Sequence, residues 1–439
     1  MVFSVVGRAE KRSGRGYLLL GEAIEVRGDP TQSDVEEDGQ GVIRSSGRAG
    51  SVSLALVRRG SVLWLCGPPG VGKTSVGFEL FDQISDAGTA TAYVDLDQLG
   101  LCRPAPEDDP NNNRVKARNL GQVWSGFRAA GAQCLVVSGI VDDAEEVRRH
   151  ADLLPDTALM VCRLRVGHEE LRDRIARRGS LRHLTEEAVR NAAELDRTDF
   201  ADLIVDTAGV AVAQVAARVR GAGWPGRVPP RQVSPLPPLD AARTGTVPVL
   251  WLCGPPAVGK STVGYEIFTR VLGDGVPAAY IDLAQLGFCR PAPDDDPDHH
   301  RLKAHHLGCV WEGFRVAGAR CLIMSGNVAE QETVGRYMGA IPSAAWTVCR
   351  LRAGRDTLAE RILLRGQGGG PAIAGDELRG RSEAALRRRV VEAAQIADAL
   401  DLAGIGDVSV DTDGREVAEL AGLVRAEAGG WPGRALSAP

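Results

Sequence analysis

The chain has 439 residues, enough for two or three domains, and 44% of them are hydrophobic, which supports packed cores. A formal net charge of −5 excludes a general electrostatic footprint for nucleic acid. No stretch approaches the roughly eighteen apolar residues of a membrane span, and the N-terminus lacks a signal-peptide core, so a cytoplasmic protein without membrane attachment is expected.

Residues 1–59 scatter Gly, Ser, Glu and Asp without periodicity and are expected to be mostly disordered. A first domain is expected over 60–227. Its predicted strands are 62–66, 90–94, 134–138, 159–164 and 203–205, separated by amphipathic stretches such as 75–87 and 169–178. This alternation argues for an α/β fold with a parallel sheet covered on both faces. Residues 228–246, rich in proline up to Pro238, are expected to form an extended linker. A second domain is expected over 247–435.

The second half repeats the first. Gly67-Pro68-Pro69-Gly70-Val71-Gly72-Lys73-Thr74 and Gly254-Pro255-Pro256-Ala257-Val258-Gly259-Lys260-Ser261 both fit G-x-x-x-x-G-K-[ST], and 254 − 67 gives an offset of 187. At that offset Asp95 meets Asp282, Gln98-Leu99-Gly100 meets Gln285-Leu286-Gly287, and Cys102-Arg103-Pro104-Ala105-Pro106 meets Cys289-Arg290-Pro291-Ala292-Pro293. Arg114 and Lys116 meet Arg301 and Lys303, and Ser138-Gly139 meets Ser325-Gly326. The two halves could therefore form an intrachain pseudo-dimer.

Each loop follows an apolar strand and opens a helix, the context a phosphate-binding loop needs. Backbone N–H groups at Gly67, Gly70 and Gly72, and at Gly254 and Gly259, can wrap a polyphosphate at the helix N-terminus, with Ser75 and Thr262 following on. Lys73 and Lys260 reach the outer phosphates; Thr74 and Ser261 can hold Mg²⁺. Nucleotide binding, with ATP and Mg²⁺ as cofactors, is the expectation. Strand two ends in Asp95 and Asp97, so one carboxylate can serve Mg²⁺ and the other can accept a proton from an attacking hydroxyl. The second half keeps Asp282, a further metal candidate, but has Ala284 in place of Asp97.

Among 52 Lys and Arg residues only Lys11, Lys73, Lys116, Lys260 and Lys303 are lysines, and four of these are two positions present in both halves. A compact, mobile ammonium is thus kept where arginine is otherwise preferred. Lys116, with Arg103 and Arg114, is expected to bind an anionic group of an acceptor substrate. The alternative is a solvated helix face. His299, His300, His305 and His306 face Asn112, Asn113, Arg118 and Asn119 at the repeat offset, which argues against a metal site. The nine cysteines show no C-x-x-C spacing and are expected to be buried thiols.

A phosphate loop followed by Asp-x-Asp-Gln after strand two resembles the small P-loop kinases: shikimate kinase, gluconate kinase, adenylylsulfate kinase and the chloramphenicol phosphotransferase group. The resemblance covers nearly all of both halves. It implies two tandem P-loop NTPase domains, each a five-stranded parallel sheet in order 2-3-1-4-5. Cys162-Arg163-Leu164-Arg165 and the segment bearing Arg174, Arg177 and Arg178 look like that group's strand and arginine-bearing lid, which implies catalytic roles for Arg174 and Arg178; the second half keeps Arg361 and Arg365. Residues 102–120 depart from the group's known members, so the acceptor does not carry over. Gly-Pro-Pro-Gly also opens many AAA+ ATPases, but their third strand ends in Asp-Glu, whereas here it ends in Val137-Ser138. The expected function is ATP-dependent phosphorylation of a small hydroxyl-bearing metabolite, by the first half in particular. The alternative is a nucleotide-binding regulatory or scaffolding protein.

Overall fold

The computed structural model describes residues 60–141, 143–177, 184–239, 246–328, 330–369 and 374–433, and the backbone of two short strands before them. Those strands, β1 (Ile24–Glu25) and β2 (Ser53–Leu54), pair antiparallel. The expected disorder of the rest of 1–59 lies outside the described residues.

The first half runs β3 (Gly60–Cys66), α1 (Lys73–Asp86), β4 (Thr91–Asp95), β5 (Cys102–Arg103), α2 (Asn113–Ala129), β6 (Cys134–Ser138), α3 (Ala144–Asp152), β7 (Thr157–Arg165), α4 (His168–Arg177), α5 (Thr185–Leu195), β8 (Leu203–Asp206) and α6 (Val212–Gly221). The second runs β9 (Val247–Cys253), α7 (Lys260–Gly273), β10 (Ala278–Asp282), β11 (Cys289–Arg290), α8 (His300–Val316), β12 (Cys321–Ser325), α9 (Gln331–Ala340), β13 (Ala344–Arg352), α10 (Arg355–Gly366), α11 (Glu383–Leu402), β14 (Val408–Asp411) and α12 (Val417–Glu427). The strands β3 and β9 are buried at every position, as expected of central strands covered by helices on both faces.

Each half contributes five parallel strands to one sheet, ordered β4-β6-β3-β7-β8 and β10-β12-β9-β13-β14. The expected five-stranded sheet is nevertheless incorrect: each sheet has six strands, and the sixth comes from the other half. Strand β11 pairs antiparallel with β4, matching Cys289 to Ala92 and Arg290 to Thr91. Reciprocally, β5 pairs with β10, matching Cys102 to Ala279 and Arg103 to Ala278. Just beyond each ladder, the Tyr93 amide donates to the Phe288 carbonyl and the Tyr280 amide to the Leu101 carbonyl, both at 2.9 Å. The physical reason is the outer edge of strand two. Its backbone groups need partners, and the crossing segment supplies them.

Helices α2 and α8 pack together across the halves. The His306 ring lies edge-on to Phe127, 4.5 Å between centroids, and occupies the space a side chain at Gly126 would need. Asn119 does the same over Gly313. One apolar core crosses this seam, joining Val123 and Phe127 to Leu307, Val310 and Phe314. Separate cores fill the outer faces of the two sheets. Residues 228–239 run without regular structure but not loosely. The Ser234 amide donates to the Ala129 carbonyl at 2.9 Å, and the Gln133 side chain donates to the Pro229 carbonyl. All nine cysteines are free thiols and eight are buried; burial pushes those of Cys66 and Cys289 up to about 12. No described helix is long and apolar enough to cross a membrane.

Candidate functional site

The phosphate loops sit where β3 and β9 end and α1 and α7 begin. Gly70 (φ 85°) and Gly72 (φ 108°) adopt left-handed backbone, and a Cβ at Gly70 would meet Ile175 at 2.7 Å. In the second half Ala257 takes the same kind of conformation (φ 62°), at a cost of about 1–2 kcal/mol for an L-residue. The helix caps Gly72 and Gly259 carry no side-chain cap bond, which leaves the first N–H groups for phosphate oxygens. Ser75 and Thr262 lie in those first turns. Lys73 donates to the carbonyls of Gly67 (2.8 Å) and Pro68 (3.1 Å); Lys260 donates to those of Gly254 (3.1 Å) and Pro255 (2.8 Å). Both ammonium groups are thereby folded back onto the loops they serve. Burial pushes the Lys260 amine down to about 8, against the attraction of Asp282.

The strand-two aspartates face the loop hydroxyls. The Thr74 hydroxyl lies 3.5 Å from Asp95 Oδ2, and the Ser261 hydroxyl donates to Asp282 Oδ2 at 2.7 Å. A hydroxyl beside a carboxylate is a hard-oxygen set of the kind Mg²⁺ accepts, with phosphate oxygens and water to complete it. Burial, then the nearby Asp97 carboxylate, pushes the Asp95 carboxyl up; a divalent cation would reverse that. Among the described residues no cluster of three or more His, Cys, Asp or Glu could hold a metal by itself. Behind each pair a buried tyrosine braces the strand end. The hydroxyls of Tyr93 and Ser138 lie 2.6 Å apart, and those of Tyr280 and Ser325 lie 2.8 Å apart. Ser138 is thus tied to Tyr93 behind the loop.

Asp97 is held by Lys116, with 2.8 Å between Nζ and Oδ1. The lysine side chain is 11% exposed and the aspartate 49%, so the carboxylate is half open while its partner stays inside. Burial alone would raise the Asp97 carboxyl, but Lys116 outweighs it and holds the group below the usual carboxylate range. The Lys116 stem crosses Gly100 so closely that no Cβ would fit there.

The other candidate arginines make contacts within the protein where they are described. Arg114, half exposed, forks onto Asp108 at 2.7 and 2.8 Å, and Arg301 repeats this with Asp295. The pair pins the preceding turn to its own helix. Arg103 lies in the strand given to the other half's sheet. Its guanidinium donates to the Cys102 carbonyl at 3.0 Å and helps, after Lys116 and Lys73, to hold the Asp97 carboxyl down, whereas its counterpart Arg290 pairs with Asp82 at 2.6 Å and lies over the Phe81 ring, both on α1 of the first half. Arg174 is committed to the protein. It donates to the Val71 carbonyl (3.1 Å), to Thr207 and to Glu170, tying the loop to the end of β8. Arg361 makes the same bonds to Val258 and Thr412. Arg178 lies outside the described residues. Its counterpart Arg365 pairs with Asp376 at 3.0 Å and lines the second half's cleft with Lys260, Ser261 and Asp282.

Sequence reasoning missed Phe288. It belongs to the second half but packs against Phe78, Phe81 and Tyr93 of the first, with ring centroids 5.2–6.4 Å apart. Ala374, from the segment between α10 and α11, is also buried in the first half's outer core. Its carbonyl accepts from Gln285 at 3.1 Å. The only signal was that position 101 is Leu while its counterpart 288 is Phe.

An AAA domain family matches residues 63–194, less than half of the chain. No curated protein matches it. Among solved structures, the tunicamycin resistance protein of Deinococcus radiodurans is 19% identical, over 42% of this chain and 96% of its own, with a TM-score of 0.28. A gluconokinase from Sinorhizobium meliloti 1021 is 19% identical, over 38% and 95%, with a TM-score of 0.27. Shikimate kinase from Aquifex aeolicus vf5 is 15% identical, over 42% and 96%, with a TM-score of 0.26. The last two bear the names of kinases in the group that the sequence resembles.

Proposed function

We propose that both phosphate loops bind ATP with Mg²⁺, and that the first half transfers the γ-phosphoryl group to a hydroxyl of a small metabolite. The supporting observation is one constellation. Lys73, the Thr74–Asp95 pair and the ion-paired Asp97 gather at the carboxyl ends of β3 and β4. On this reading residues 60–227 and 247–435 are two nucleotide-binding units joined by 228–246.

Thr74 and Asp95 would hold Mg²⁺, which when bound neutralises charge on the β- and γ-phosphate oxygens. Lys73 exchanges the Gly67 and Pro68 carbonyls for phosphate oxygens. The acceptor hydroxyl oxygen attacks the γ-phosphorus, and its proton passes to Asp97. The bond from that phosphorus to the ADP oxygen breaks. A carboxylate kept ionised by Lys116 is a weak base, but a loose phosphoryl-transfer transition state asks for orientation more than basicity. Arg174 serves by keeping the loop fixed against β8. In the second half Ala284 has no proton acceptor, which favours a binding or regulatory role there.

Each sheet takes a strand from the other half, so the test uses the full chain. Calorimetry should find two ATP sites, and one each in Lys73→Ala and Lys260→Ala. ADP release across a panel of hydroxylated metabolites should need Lys73 but not Lys260. An intact chain without nucleotide affinity would refute the reading; activity lost only in Lys260→Ala would reverse the halves.

A further inference from the structure

The two halves treat one lysine differently. The stems of Lys116 and Lys303 follow the same path, each crossing the glycine of the preceding turn, Gly100 or Gly287, closely enough to exclude a Cβ. That turn is built alike in both halves: the amide of Asp97 donates to Asp95 at 3.1 Å and the amide of Ala284 to Asp282 at 3.0 Å. The ammonium of Lys303 is therefore delivered to the place where Lys116 meets Asp97. There the second half has Ala284 where the first has Asp97, and both Lys303 and Ala284 line the cleft. No described residue pairs with it, in contrast to the 2.8 Å bridge in the first half.

The carboxylates of Asp298, Asp296, Asp282 and Glu377 attract it, yet none is in ion-pair contact with it, and burial outweighs them and holds the amine below its ordinary value. Lys303 lines an open cleft of about 480 Å³ together with Lys260, Ser261 and Asp282. The other cleft charges are largely spent on one another: Arg365 on Asp376 at 3.0 Å and Arg389 on Glu377 at 2.7 Å. Asp298 is 76% exposed at the rim, 3.9 Å from His300. Losing one partner of a part-buried ion pair leaves a charge whose desolvation is uncompensated, and such a charge gains most from an incoming counter-ion.

We propose that the second half's cleft holds a small oxyanion, a carboxylate or phosphate group, on Lys303, beside the phosphate loop rather than in it. In the first half Asp97 occupies that position as a built-in counter-ion. This deepens the reading of the second half as a binding half, and names the chemistry of what it binds.

The five lysines make the test direct. The full chain is labelled with ¹³C at lysine Cε, and the five signals are assigned by single Lys→Arg substitutions. Malonate and orthophosphate are titrated separately. The Lys303 signal should move and saturate with at least one of them; the Lys116 signal should not. A response to malonate alone identifies a carboxylate site, and a response to orthophosphate alone a phosphate site. Ala284→Asp, at an exposed position, installs the first half's counter-ion and should weaken binding about tenfold or more. Asp97→Ala should make the Lys116 signal responsive in turn. A Lys303 signal unmoved by both anions, or equal affinity in Ala284→Asp, overturns the proposal. ATP with Mg²⁺ is the separate arm. A Lys260 signal that ignores ATP while Lys303 answers the anions removes the nucleotide reading and leaves this one standing.

Discussion

Phe288→Ala should damage the half of the chain to which Phe288 does not belong. Its ring meets Phe78 and Phe81 on α1 and Tyr93 on β4. Removing a fully buried phenylalanine costs about 3–5 kcal/mol. Phe288 is only partly buried, so about 2–3 kcal/mol is expected, with part of that being lost aromatic edge contacts. For a unit of this size the loss corresponds to roughly 5–10 °C in Tm. The backbone bond from the Tyr93 amide to the Phe288 carbonyl does not depend on the side chain, so the exchanged strand should stay paired. Hydrogen exchange read by mass spectrometry on the full chain gives the location. Peptides from α1 and β4 should lose protection, and ATP affinity at Lys73 should fall, while α7 and β9 change little. Protection lost only within the second half would refute the idea that β11 and its flanks are part of the first half's core.

Other substitutions probe the site and the seam. Asp97→Ala should lower phosphoryl transfer by about 10²–10⁴-fold with ATP affinity nearly intact; turnover at the wild-type rate would remove Asp97 from the chemistry. Gly126→Val drives a side chain into the His306 ring and should uncouple the halves, read as two separate melting transitions. Burial pushes the His306 imidazole down to about 3, whereas an unfolded histidine titrates near 6.5. The unfolded chain therefore takes up a proton first as pH falls. The stability this neutral histidine contributes is complete above about pH 6.5 and erodes by up to about 1.4 kcal/mol per pH unit below it. His306→Asn, the residue found at the equivalent position 119, should flatten Tm between pH 6.5 and 4.5, and an unchanged slope would assign the acid sensitivity elsewhere.

Much of each half was legible because its signals are local. The apolar runs at 62–66 and 134–138 coincide with or lie within β3 and β6, since a strand covered on both faces must be apolar throughout. The phosphate loop announces itself because only particular residues tolerate its backbone and ligand. Strand β5 was illegible: two residues carry no periodicity, and their partner lies about 175 positions away on β10. Arg103 lies in that strand, so its recurrence in both halves has the crossing as a second source that the sequence did not show. Lys116 and Asp97 were each singled out, but their pairing across 19 positions was not, because a charge pair between a turn and a helix leaves no spacing rule.

The crossed strands also decide what happens when the chain is damaged. An uncovered strand edge is an adhesive surface, with a row of amides and carbonyls ready to pair with any extended segment. Here the adhesive edges of β4 and β10 are each sealed by a strip of the opposite half. A cut within residues 228–239 would leave the seals in place, held by the α2–α8 seam. Loss of either half would unseal the survivor, and its orphaned strip would seek the bare edge of another molecule. Reciprocal exchange between two survivors closes a dimer; head-to-tail exchange does not close and grows into chains. Deleting the half that lacks Asp97 would thus expose a sticky edge on the half that keeps it, which gives the second copy a structural role whatever it binds.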